Sequence, residues 1–69
     1  MKNLLHIRFN GESFDVALET LDLGSASNER EVKQRVASHL EVDASRLRDY
    51  VVDRHANGNL TLRPEAVFG

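Results

Sequence analysis

Apolar and polar residues alternate through the opening stretch LLHIRFNGESFDVAL, the two-residue period of a strand with one buried face. Asn10-Gly11 interrupts the alternation and supplies the two positive-φ residues that a tight type I′ turn requires, so residues 2–20 predict a β-hairpin. A two-residue loop sets Phe9 opposite Glu12, Ile7 opposite Phe14 and Leu5 opposite Val16, and directly opposed residues share a face of the sheet. Leu5, Ile7, Phe9, Phe14, Val16 and Leu18 then form one apolar surface, which a slip of one residue would scatter over both sides.

Leu21 to Ala26 reads as a connection. Ser27-Asn28 followed by Glu29 and Glu31 marks a helix start: Asn28 can cap free amides, and carboxylates in the first turn suit the positive end of the helix dipole. Val32, Val36 and Leu40 recur every four residues with Ala37 beside them, which gives about three turns of helix with one apolar stripe. Lys33, Gln34 and Arg35 are expected to face out, with His39 near the negative end of the helix. VDASRL then reads as a short turn in which Asp43 caps and Val42 and Leu47 tuck under the sheet.

Asp49 to Arg63 predicts a second hairpin around Asn57-Gly58. A two-residue loop would place Asp53 among core residues, where an unpaired carboxylate costs several kcal/mol. A three-residue loop, Ala56-Asn57-Gly58, pairs Val52 with Leu62 and Arg54 with Leu60 and is the preferred register. Pro64 ends the last strand. Strand, strand, helix, strand, strand with a right-handed crossover sets the first and last strands side by side and parallel. The expected fold is α+β: ββαββ, a four-stranded mixed sheet of order 2-1-4-3, and one helix packed on one face.

Size and charge narrow the function. Sixty-nine residues make a single domain, 1–69, with 64–69 as a C-terminal tail, and so short a chain has no room for both a core and a deep cleft. It contains no cysteine, so neither disulfides nor thiolate metal sites support the core. The formal net charge of -2 argues against nucleic-acid binding, which leans on a basic surface. No apolar run approaches the roughly 20 residues that cross a bilayer, and the N-terminus is no signal peptide, so a cytoplasmic, membrane-free protein is expected. His6, His39 and His55 fit no zinc spacing, and the serines lack His and acidic partners in any recognisable arrangement, so neither a metal, a cofactor nor an enzymatic activity is expected.

The opening MKNLLHIRFNGESFDVAL hairpin, the helix SNEREVKQRVASHL, then EVDASRLRDYVV and NLTLRP before a terminal glycine together resemble the ubiquitin-like (β-grasp) superfamily, including its small bacterial-type and sulfur-carrier-like members. The resemblance spans nearly the whole chain and rests on the spacing of elements; Val42 and Leu47 match the family's spacing after the helix. It implies a small protein-interaction module, a monomer bound by partner proteins through the outward sheet face (Leu4, Arg8, Thr61 and Arg63) and the tail (Val67, Phe68). It also implies an alternative: modifiers and sulfur carriers of this family end in Gly-Gly and are adenylated at the terminal carboxylate by an E1-like activating enzyme. Gly69 matches the last position of that motif and Phe68 departs from the one before it. Were the chain a modifier, Lys33 is the better exposed of its two lysines as a site for linkage.

Overall fold

The computed structural model describes residues 3–65. Two strands, β1 (Leu4–Phe9) and β2 (Glu12–Ala17), form the first hairpin, with Leu5 opposite Val16, Ile7 opposite Phe14 and Phe9 opposite Glu12. Asn10 and Gly11 both hold positive φ, 53° and 76°, as a two-residue primed turn demands. This is the register expected from the alternation, and Leu5 and Ile7 are fully buried.

The chain then makes a 3-10 turn, Leu18–Leu21, at the end of the first hairpin and the start of the expected connection. Leu18, Leu21 and Leu23 are all buried, so this segment is a third side of the core. Helix α1 (Glu29–Leu40) starts where expected: the Asn28 side chain accepts the Glu31 amide at 2.8 Å. It ends at Glu41, whose left-handed backbone (φ 58°) lets its amide reach the carbonyls of Ala37 and Ser38. Val32, Val36 and Ala37 are buried, and Leu40 packs at the margin.

A second 3-10 turn, Ala44–Leu47, is capped by Asp43, which accepts the Ser45 amide at 2.9 Å, and it drives Leu47 fully into the core. Strand β3 (Tyr50–Arg54) pairs antiparallel with β4 (Leu60–Pro64), Val52 opposite Leu62 and Arg54 opposite Leu60. The loop is the three-residue one: the His55 amide donates to the Asn59 carbonyl, the Gly58 amide donates back to His55, and Gly58 sits at φ 92°.

The four strands form one mixed sheet of order β2-β1-β4-β3, with β1 and β4 parallel at its centre. The fold is a small α+β domain in which α1 and both 3-10 turns cover one face. Pro64 has no amide hydrogen, and the parallel ladder ends two residues before it, at Ile7 and Leu62, while pairing with β3 runs on to the Glu65 amide, which donates to Asp49. Arg54 lies on the covered side, across from Leu60. Its guanidinium donates to the backbone carbonyls of Ser25 and Ser27, so a charged side chain that could not be buried instead ties β3 to the approach of α1.

Lys33 corrects the expectation of an outward, accessible lysine. Its side chain is only 17% exposed, its ammonium lies 3.0 Å from Glu29 Oε1, and it donates to the Arg48 carbonyl at 3.3 Å. The second 3-10 turn leads Arg48 back toward this face of the helix, which the periodicity of α1 alone could not reveal.

Candidate functional site: the open face of the sheet

Period-two alternation in β1 sends Leu5, Ile7 and Phe9 under α1 and leaves Leu4, His6 and Arg8 on the opposite side. The pairings extend that side across all four strands. Asp15, His6, Thr61 and Asp53 stand in one lateral row, because His6 is opposite Asp15 on one flank and beside Thr61 on the other, and Thr61 is opposite Asp53. Arg8 and Arg63 each follow the last pair of the parallel ladder, so they lie side by side at its end. The structure thus brings Leu4, Arg8, Thr61 and Arg63 onto one face; Val67, Phe68 and Gly69 lie outside the described residues.

The row is knitted by side-chain contacts. His6 Nδ1 lies 2.7 Å from Asp15 Oδ1, and His55 Nε2 lies 2.8 Å from Thr61 Oγ1. The Arg63 guanidinium donates to both oxygens of Asp53, at 2.5 Å from Nε and 3.4 Å from Nη2. That bond holds the Asp53 carboxyl below the usual aspartate range, with desolvation opposing, and pushes the Arg63 guanidinium further up. The face is therefore less basic than its arginines and histidines imply, since Arg63 and His6 each stand against a carboxylate. Arg8 has no ion pair among the described residues.

Leu4 is the large apolar side chain that stands exposed among the described residues, at 38%. It borders a shallow depression of about 330 Å³ with His6, Asp15, His55, Asn59 and Thr61. Its own amide donates to Asn59 Oδ1 at 3.0 Å, which fixes the strand end against the second hairpin loop. Leu4 and Arg8 are four residues apart on one strand, about 13 Å at 3.3 Å per residue. The hydroxyl–imidazole contact of Thr61 and His55 lies on the open face with Asp53 bonded to Arg63, so its geometry ties the second hairpin loop to β4 instead of shaping a water-excluded site.

Sequence reasoning left out the two carboxylate partners. Both were readable: Asp15 is directly opposite His6 in the two-residue-loop register, and Asp53 is the diagonal neighbour of Arg63 in the three-residue-loop register. Among the described residues no cluster of His, Asp or Glu is arranged to hold a metal, and no helix is long and apolar enough to cross a membrane. Comparison with family models, curated proteins and solved structures finds no match for this chain.

Proposed function

We propose that this chain is a ubiquitin-like β-grasp domain that works by being bound: a small, non-catalytic, cytoplasmic module whose open sheet face docks onto partner proteins. The strand order, the parallel central pair and the single helix across one side support the β-grasp reading. The observation that carries the interaction reading is Leu4, a large apolar side chain standing exposed on the face opposite the helix. It forms an anchor about 13 Å from Arg8, a cation with no ion pair among the described residues. A partner that offers an apolar recess to Leu4 and a carboxylate to Arg8 matches both, the first supplying desolvation energy and the second orientation.

The test uses a partner recovered by cross-linking and then purified. Leu4→Asp and Arg8→Glu place charge on exposed positions, so both variants are expected to keep the wild-type melting curve. Each should weaken the complex about tenfold or more, the range of an interface hot spot. A purified partner that binds both variants with wild-type affinity removes the open face from the function.

A further inference from the structure

On the helix side, remote from the open face and sharing no residue with it, a groove of about 570 Å³ runs between α1 and the second 3-10 turn. That volume falls within the range of about 300–1,000 Å³ typical of ligand sites. Arg30 and Lys33 of α1 and Arg48 beyond the turn line it against one carboxylate, Glu29. Three cations against one anion stand out in a chain whose formal net charge is -2.

The cations are not equivalent. Lys33 is the held element: its ammonium meets Glu29 and the Arg48 carbonyl, so the one carboxylate of the groove is already matched and the Arg48 backbone is fixed in place. The Arg30 and Arg48 side chains have no ion pair or hydrogen bond among the described residues. Of the seven arginines, Arg35 pairs with Asp22, Arg46 lies over the Phe9 ring, Arg54 binds carbonyls and Arg63 binds Asp53. Only Arg8, Arg30 and Arg48 lack such a partner among the described residues, and two of those three share this groove. Ala44 and the methylene stem of the half-buried Lys33 line the same groove and supply its aliphatic surface.

We propose that this groove binds an acidic peptide segment of a partner protein, with carboxylates on Arg30 and Arg48 and an aliphatic side chain against Ala44. Guanidinium groups favour carboxylates because their paired N–H donors match the two oxygens. A long polyanion is disfavoured by the net negative charge of the whole chain. A small free anion finds only exposed donors, since the enclosed ammonium is already engaged; a peptide adds the apolar contact that a lone anion lacks. The groove makes the domain able to be held from the helix side, independently of what happens on the sheet.

The experiment titrates the ¹⁵N-labelled full chain with an eight-residue peptide of alternating Glu and Leu, with its Gln and Leu counterpart, and with inorganic phosphate. Amide shifts are expected at residues 29–34 and 44–48 with the acidic peptide and not with the neutral one, and they should fade as salt rises. The double variant Arg30→Gln/Arg48→Gln should bind about tenfold more weakly, as two exposed ion pairs of usual strength supply. Ala44→Glu should abolish binding, and Arg8→Gln should leave it unchanged. These three positions and Arg8 are exposed, so melting curves are expected to match wild type. The proposal is overturned by silence in the groove up to about a millimolar peptide, by equal shifts with the neutral peptide, by unchanged affinity in the double variant, or by phosphate alone reproducing the shifts and displacing the peptide.

Discussion

The two hairpin glycines offer a controlled comparison. Gly11 and Gly58 both hold positive φ, 76° and 92°, but an added Cβ at Gly11 meets nothing within 4 Å, whereas at Gly58 it meets Asn3 Nδ2 at 2.7 Å and Asn3 Cγ at 3.0 Å. Left-handed backbone strain for an L-residue is about 1–2 kcal/mol, partly offset by the smaller entropy that alanine loses on folding. Gly11→Ala should therefore destabilise by about 1 kcal/mol, a melting-point drop of roughly 4–8 °C in a domain this small. Gly58→Ala carries the same kind of strain, and it must also push the Asn3 side chain aside. The atom displaced is the far end of a flexible side chain, so the surplus is about 0.5–1.5 kcal/mol, the range of an off-rotamer torsion. Urea and thermal unfolding followed by far-UV circular dichroism would measure both variants. In an Asn3→Ala background the clash is gone, so the cost of Gly58→Ala should fall by the same amount, a coupling that the double-mutant cycle isolates. A Gly58→Ala protein no less stable than Gly11→Ala, or a surplus that survives removal of the Asn3 side chain, would refute the reasoning.

Three further outcomes are expected. Asp53, its pKa lowered by Arg63, binds its proton less readily folded than unfolded, so its share of stability is present above about pH 4 and is lost as pH falls through the lowered value. Wild type and Asp53→Asn should converge in stability as pH falls from about 5 through the lowered pKa, and a gap that stays constant on acidification sinks the assignment. Asn28→Ala removes the acceptor of the Glu31 amide and should cost about 0.5–2 kcal/mol by urea unfolding, with Asn28→Asp retaining most of it; equal losses for both would contradict a capping role. Incubated with an E1-like activating enzyme, ATP and a thiol, the chain should keep its intact mass, and an adduct at Gly69 would replace the interaction-module reading by the modifier one.

Much of the fold was legible because turn chemistry and parity constrain each other. Asn10-Gly11 set the first register, and the refusal to bury Asp53 set the second, which also put Arg54 across from Leu60. The helix start followed from Asn28 and the stripe from Val32 and Val36. What stayed hidden depends on how segments distant in sequence pack. Leu21 and Leu23 carry no period, since a single 3-10 turn is too short to show one, yet both are core. Lys33 reads as solvated on any helical wheel, and only the return of the chain at Arg48 encloses it. On the sheet, Leu4, Arg8, Thr61 and Arg63 were placed together from strand order alone, while the neutralising carboxylates Asp15 and Asp53 were within reach of the same register and were not drawn in.

The parallel ladder between β1 and β4 has a consequence for how the molecule assembles. It joins Leu5 to Leu60 and Ile7 to Leu62, across nearly the full length of the chain. Among the described residues β4 is the strand that touches both the first hairpin and β3, so the four-stranded sheet cannot close until residues 60–64 have left the ribosome. Until then the first hairpin is an isolated two-stranded ribbon, which is marginal in water. Such late, long-distance closure slows folding. A nascent chain halted before Leu60 lacks the strand that joins the two halves of the sheet, and is expected to be cut by protease faster than one halted beyond Pro64.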